Sequence, residues 1–372
     1  MRQDKNIEAF FALVKAGLWS KANLNDNLDF DGVDWGEVYR LAEEQSVIGL
    51  VADGIDRFKL HVPSFKIPQE WALQFIGSAL QLEQQNKGMN TFIAKLVAGM
   101  RKVGIYTLLV KGQGLAQCYE NPLWRSCGDV DLLLSDDNYQ KAKAFLLPKA
   151  SFVEDEEKHK KHLAMTINDW MVELHGSLRC GFSARIDRSL DKIYHDTFYG
   201  GNVRSWTNER VQVFMLGKEN DVLYVFVHFL NHFYKGGVGL RQICDWCRLL
   251  WTYRDSLDVQ FMETRIREMG LMSEWRAFGA YAVKYLGMDA TAIPLFDDNA
   301  DLKSKTRRIN KFILSVGNMG HNRSEKGQKS YLSRKVRSFG QRMVDLFDHA
   351  MIFPIDTLKF FPSIMMNGIR QK

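Results

Sequence analysis

The sequence predicts an α+β protein, a small mixed sheet with helices that is flanked by N-terminal and C-terminal helical regions. Three observations carry that expectation. Apolar residues recur at helical spacing as far as about residue 85. Short apolar runs rich in β-formers replace them between about 86 and 200, and helical spacing returns from Asp221. A chain of 372 residues is too long for one small core, so two or three structural units are expected. The divisions fall at 1–85 for a helical lead-in, 86–215 for a mixed core, and 216–372 for a C-terminal helical domain with a basic tail.

In the lead-in, residues 5–20 set Ile7, Phe10, Phe11, Leu13 and Val14 at helical spacing. Residues 34–56 do the same with Val38, Leu41, Ala42, Val47, Ile48 and Val51. A third helical pattern covers 69–102 and stops at Gly104. Ile105–Val110 then reads as a buried strand. Lys111-Gly112-Gln113-Gly114 leads from it into a short helix through Tyr119. Gly128 opens a second strand, Asp129–Leu134. Ser135 is placed to cap a helix over Asp136–Leu147, which Pro148 closes. Phe152–Val153 is a weak strand candidate, and Leu163–Ile167 with Trp170–His175 reads as a hairpin turning at Asn168-Asp169. Helices follow at Asp221–Tyr234 and Leu240–Tyr253, joined through Lys235-Gly236-Gly237.

Composition excludes several classes. With 46% apolar and 25% charged residues the chain is neither disordered nor fibrous. Five scattered cysteines do not form a secreted disulfide framework, and the one C-x-x-C, Cys244 and Cys247, lacks a second half for a zinc site. Those two read as core thiols. The N-terminus carries no signal-peptide pattern and no apolar run is long enough for a membrane span, so the expected location is the cytoplasm. A net charge of +6 suits a polyanionic ligand without requiring one. Much of the positive charge lies beyond residue 302, at Lys303, Lys305, Arg307, Arg308, Lys311, Arg323, Lys326, Lys329, Arg334, Lys335, Arg337 and Arg342. That tail reads as a solvated helical face, or as a surface for RNA or an anionic membrane. Phe353-Pro354 and Phe360-Phe361-Pro362 suggest that it docks on the protein itself.

The chemistry is expected in residues 108–134, LLVKGQGLAQCYENPLWRSCGDVDLLL. Strand side chains alternate faces, so Asp129 and Asp131 share one face and Val130, Leu132 and Leu134 the other. The aspartates are either solvent-facing strand residues or ligands to divalent metal. Asp is depleted in strands, and two adjacent like charges repel unless a cation joins them. Residues two apart along a strand lie about 6.6 Å apart, within reach of a pair of metals. In Asp169–His175, the residues Asp169, Met171, Glu173 and His175 fall on one face. Glu173 completes an acidic triad if this strand pairs near the first, with Asp169 a competitor that sits at the turn. Lys111 and the Gly112, Gln113 and Gly114 amides, at a strand-to-helix turn, offer a phosphate site or only a tight turn with a surface lysine.

Weaker candidates are His228 and His232, four apart on a helix without the Glu of an H-E-x-x-H, and read as helix packing or cleft lining. His175 lies beside Glu173. Arg241 and Asp245, also four apart, form a surface ion pair or face the cleft. Trp124 is a base-stacking platform or a buried aromatic.

Taken together, Lys111-Gly112, Tyr119, Arg125, Gly128-Asp129-Val130-Asp131-Leu132-Leu133 and Val172-Glu173-Leu174-His175 resemble the uncharacterised bacterial nucleotidyltransferases of the polymerase-β-like superfamily. The resemblance extends from Val47–Leu50 to residues 228–246 and covers roughly 35–255. It departs from the wider superfamily in having Gly112-Gln113-Gly114 where glycine-serine or glycine-glycine is usual. The resemblance implies a nucleotidyltransferase-type sheet, with 86–215 as the catalytic core, and transfer of a nucleoside monophosphate from an NTP such as ATP. It implies Mg²⁺ (or Mn²⁺) held by Asp129, Asp131 and Glu173, with Glu173 as ligand or base. Lys111, Gly112, Gln113, Gly114 and Arg125 would stabilise the phosphates, and His175, Arg241 and Asp245 would face the cleft. The acceptor stays unidentified, a hydroxyl or a phosphate. The competing readings are a nucleotide- or RNA-binding protein without turnover and a toxin-like transferase acting on tRNA.

Overall fold

The computed structural model describes residues 4–20, 24, 28–157, 161–235, 237–318 and 331–360. Four helices open the chain: α1 (Lys5–Leu18), α2 (Trp35–Glu44), α3 (Ile48–His61) and the 34-residue α4 (Gln69–Lys102). The periodic stretch 34–56 is two helices rather than one. Ser46 breaks it at φ 56°. Gln45 fixes the break from a distance: its Oε1 accepts from the Leu240 amide at 3.0 Å and its Nε2 donates to the Ile313 carbonyl at 3.2 Å. Gly104, at φ 75°, ends α4 as its sequence position predicts.

The strands are β1 (Leu108–Val110), β2 (Asp129–Leu133), β3 (Phe152–Val153), β4 (His162–Ile167), β5 (Trp170–His175), β6 (Val203–Asn208) and β7 (Val211–Leu216). They form one mixed sheet in the order β3-β4-β5-β2-β1-β7-β6. The expected hairpin is β4–β5, turning on Asn168 and Asp169 at φ 48° and 66°. A second hairpin, β6–β7, turns on Glu209 and Arg210 at φ 46° and 70° and forms the opposite edge. Between strands lie α5 (Gly112–Ala116), α6 (Asp136–Leu146) and α7 (Ala184–Phe198). The C-terminal helices are α8 (Lys218–Lys235), α9 (Leu240–Tyr253), α10 (Val259–Met269), α11 (Met272–Leu286), α12 (Ala300–Val316) and α13 (Tyr331–Ile352).

Strand alternation divides the sheet. Val130, Leu132, Val172 and Leu174 are buried against Met89, Ile93 and Val97 of α4 and Tyr139 and Ala142 of α6. The opposite face contributes Leu108, Val110, Leu133 and Leu216 to a second core that joins α1–α3 to α8, α9 and α11. Trp19, just past α1, locks the two helical ends together by donating Nε1–H to the Leu286 carbonyl at 2.6 Å. Asp129, Asp131 and Glu173 share this second face, so β2 and β5 anchor their carboxylates from behind with an apolar layer.

Among the described residues no helix is long and apolar enough to cross a membrane. Of the basic tail, Lys303, Lys305, Arg307, Arg308 and Lys311 lie on α12, where Lys305 pairs with Asp301 at 3.0 Å. Arg323, Lys326 and Lys329 and the side chains of Arg334, Lys335, Arg337 and Arg342 lie outside the described residues, as do Phe361 and Pro362. Phe353 and Phe360 are buried, and Phe360 stacks on Phe182 with ring centroids 4.0 Å apart, so this end of the chain docks on the protein.

Candidate active site

Register builds the site. β2 and β5 run parallel with Asp131 opposite Glu173 and Asp129 opposite Met171. One carboxylate oxygen from each of Asp129, Asp131 and Glu173 falls within 4.8 Å of the others. Asp169 is an exposed turn residue and takes no part in the cluster. The spacing of D-x-D and of the following strand therefore brings together the three acids that sequence reasoning selected.

Lys111 reaches into the same cluster. Its backbone stands at φ 59°, ψ −147°, close to a region that is almost glycine-only and costs about 1–3 kcal/mol for other residues. The strained turn aims its ammonium back at β2, where Nζ lies 2.8 Å from Asp131 Oδ1. Gly112 (φ 45°) packs so closely that a Cβ there would meet Cys127 Sγ at 3.3 Å and the Asp129 carbonyl at 3.4 Å. The rest of the turn looks inward. Gln113 Nε2 donates to Asn86 Oδ1 at 2.7 Å, Gly114 lies against Met215, and the Gly114 amide donates to the Lys111 carbonyl at 3.1 Å.

Arg125 and Asp245 form a buried, two-pronged pair. Arg125 Nε donates to Asp245 Oδ1 and Nη2 to Oδ2, both at 2.7 Å, and the Tyr119 hydroxyl donates to Oδ1 at 2.7 Å. Asp245 thus pairs with Arg125 across the fold, while Arg241 Nη1 donates to the Ser126 carbonyl at 2.6 Å. Asn86 holds the Leu123 and Arg125 carbonyls at 2.7 and 2.9 Å. Gly49 lets the loop approach α3, since a Cβ there would lie 2.0 Å from the Trp124 carbonyl. Trp124 is half-buried and donates Nε1–H to Glu83 at 2.9 Å. These contacts fix the segment that delivers Asp129.

The electrostatics follow from crowding. Repulsion from Asp131, then burial, raises the Asp129 carboxyl above its ordinary range, partly offset by Lys111. Burial also pushes Glu173 up. Hydrogen bonds from His162 and His175 and the charge of Lys111 outweigh it and hold Glu173 far below the usual carboxylate range. Burial works against the Lys111 charge, yet Asp131, Asp129 and Glu173 together raise it above a free lysine. His175 Nε2 lies 2.8 Å from Asp131 Oδ1 and 3.4 Å from Glu173 Oε2. Those contacts raise the His175 ring above its ordinary value, although burial lowers it.

Tyr224, His228 and His232 stand four apart along α8, and the field of Lys111 reaches all three. Burial first, then Lys111, holds both histidines neutral, His232 down to about 4. Their rings pack at 4.6 Å. Cys244 and Cys247 are fully buried free thiols.

Two side chains at the site are not picked out by sequence pattern alone. Tyr224 is one turn before His228, and that periodicity is its only signal. His162 stands directly across the hairpin from His175. A two-residue turn at Asn168-Asp169 fixes that pairing, so counting back from the turn finds it.

A mixed sheet gathering three carboxylates and a lysine on one face belongs to the class of acidic-cluster sites suited to metal-assisted transfer of phosphorus groups. Residues 31–287, more than two-thirds of the chain, match the family described as uncharacterised nucleotidyltransferase, and the chain belongs to that family. The matched span contains every site residue above. No curated protein and no solved structure matches the chain.

Proposed function

We propose that the protein transfers a nucleoside monophosphate from a nucleoside triphosphate to an acceptor hydroxyl or phosphate, as the polymerase-β-like superfamily does. The observation that carries this reading is the convergence of Asp129, Asp131 and Glu173 oxygens within 4.8 Å beside Lys111. The cluster fits a divalent cation. Its donors are hard oxygens suited to Mg²⁺ or Mn²⁺, and the Asp131–Asp129 repulsion is of the kind that a bound cation relieves. Such a cation, when bound, offsets phosphate charge and lowers the pKa of an acceptor hydroxyl.

The chain's own residues supply the rest. In the transfer, the acceptor oxygen bonds to the α-phosphorus as the bond to pyrophosphate breaks. Lys111 has three donors, so it can keep Asp131 and hold a phosphate oxygen at once. The Gly112 and Gln113 amides lie at the same turn and extend that grip. Glu173 serves as a ligand to the cation or as the base for the acceptor hydroxyl, the two roles that its place in the acidic cluster allows. The Arg125–Asp245 pair positions Asp129 through the 121–128 segment, and His175 holds the Asp131 carboxylate in place. His228, His232 and Tyr224 line the cleft on the α8 side.

The test is incubation of the protein with each labelled NTP, Mg²⁺ or Mn²⁺, and a panel of acceptors that includes RNA ends, sugars and protein from the native host. Label transfer with release of pyrophosphate, lost in Asp131→Asn, is the expected result. Nucleotide binding with no transfer to any acceptor would instead identify a binding protein.

A further inference from the structure

We propose that His162, Glu173 and His175 form a second cation site, one that takes a first-row transition-metal dication through two imidazole nitrogens and a carboxylate. The ligand atoms are the two His Nε2 and one Glu173 oxygen, and all lie within 4.8 Å of one another. His162 Nε2 is 3.1 Å from Glu173 Oε2, and His175 Nε2 is 3.4 Å from the same oxygen. A cation with bonds of about 2.0–2.2 Å spaces neighbouring ligands roughly 3.0–3.5 Å apart in octahedral or tetrahedral geometry. The two separations to Oε2 match such an edge.

Hydrogen bonding uses only part of the contacts that this arrangement offers. An imidazole Nε2 is a donor or an acceptor, with at most one hydrogen. His175 Nε2 nevertheless faces two carboxylate oxygens, Asp131 Oδ1 at 2.8 Å and Glu173 Oε2 at 3.4 Å. It can donate to only one of them. A cation among these atoms accepts lone pairs from both rings and from Glu173 together.

The site is preorganised and reachable. His162 and His175 are direct cross-strand partners in β4–β5, with rings 4.8 Å apart, so the sheet sets their spacing. The side chains of His162 and Glu173 are about one-quarter exposed, which leaves an entry path. Ligand chemistry selects the ion. Imidazole nitrogens favour Co²⁺, Cu²⁺ or Zn²⁺ over Mg²⁺, which prefers an all-oxygen shell. Glu173 belongs to both groups of ligands, so on the proposed nucleotidyl-transfer reading it bridges an all-oxygen site and a nitrogen-containing one.

The test uses the full chain stripped of metal. Co²⁺ is added and its d–d absorption followed, and Cu²⁺ is added in parallel to look for nitrogen hyperfine coupling by electron spin-echo. Wild type is expected to bind Co²⁺ with a nitrogen-ligand spectrum and to show imidazole coupling to Cu²⁺. His162→Gln is expected to weaken Co²⁺ binding by at least about tenfold, since even outer-sphere losses cost that much, while Asp129→Asn keeps it. Unchanged Co²⁺ affinity and spectrum in a folded His162→Gln protein overturns the site. The wild-type Cu²⁺ measurement needs no variant, and absence of nitrogen coupling there overturns the site as well. Neither result depends on turnover: loss of Mg²⁺-supported transfer would sink the transferase reading and leave this one standing, and the reverse also holds.

Discussion

Asp131 and Glu173 stand directly opposite one another on adjacent parallel strands, with both carboxylates on the same face of the sheet. Their closeness is unfavourable for folding, and Lys111 relieves only part of it. Asp131→Asn is therefore expected to leave melting temperature near the wild-type value, since it removes repulsion together with the Lys111 pair. Transfer should fall by about 10²–10³-fold or more, the scale of losing one charge-stabilising group in an active site. Pyrophosphate release measured alongside thermal melting checks both halves. Wild-type release from this variant would remove Asp131 from the mechanism.

The Arg125–Asp245 pair separates two roles for Arg125. If its work is to hold the 121–128 segment, Asp245→Ala should cost about 3–5 kcal/mol, because it leaves a guanidinium buried and unpaired. A double variant, Arg125→Met with Asp245→Leu, should recover much of that loss in urea unfolding. If Arg125 acts only on the triphosphate, Arg125→Ala would spare stability and raise the KM for NTP alone.

The legible part of this site is the part that short-range geometry dictates. Asp129 and Asp131 share a face because strand side chains alternate, and the Asn168-Asp169 turn fixes β4–β5 register by counting. The β6–β7 hairpin is not legible, because its left-handed turn is built from Glu209-Arg210 rather than the Asn-Gly that usually marks such turns. The break at Ser46 depends on Leu240 and Ile313, far along the chain, so no local pattern announces it. The same holds for Arg125 with Asp245, where an i, i+4 reading of Arg241 and Asp245 finds the wrong partner. The direction of Lys111 is hidden too, since a lysine at this backbone conformation is contrary to local preference.

Asp169 offers a test of register independent of chemistry. It occupies the second left-handed turn position at φ 66°, which glycine adopts without strain. Asp169→Gly should raise stability by up to about 1 kcal/mol, the relief of the left-handed strain less the entropy of a freer unfolded chain. Transfer should be unchanged, because Glu173 and not Asp169 completes the acidic cluster. Chemical unfolding and a transfer assay on one protein preparation decide it. A large loss of transfer with stability preserved would move the third ligand from Glu173 to Asp169.

Glu274 on α11 gives the molecule a pH dependence remote from the active site. It is fully buried, accepts from the Tyr234 hydroxyl at 3.2 Å through Oε1, and has no hydrogen-bond partner at Oε2 among the described residues. Burial, then the nearby charge of Asp356, pushes its carboxyl up to about 8 from an ordinary 4.5. The native state therefore binds this proton more tightly than the unfolded chain. Between about pH 4.5 and 8 folding takes up a proton, so stability falls as pH rises through that window and the loss is complete above it. The scale is roughly 5 kcal/mol at most, since each tenfold gain in proton affinity is worth about 1.36 kcal/mol. Glu274→Gln keeps an acceptor for Tyr234 and removes the titration. Its melting temperature should vary less than that of wild type between about pH 5 and pH 9, with the variant the more stable of the two at the alkaline end. Parallel curves for the two proteins would mean that Glu274 carries its charge in the folded state without cost.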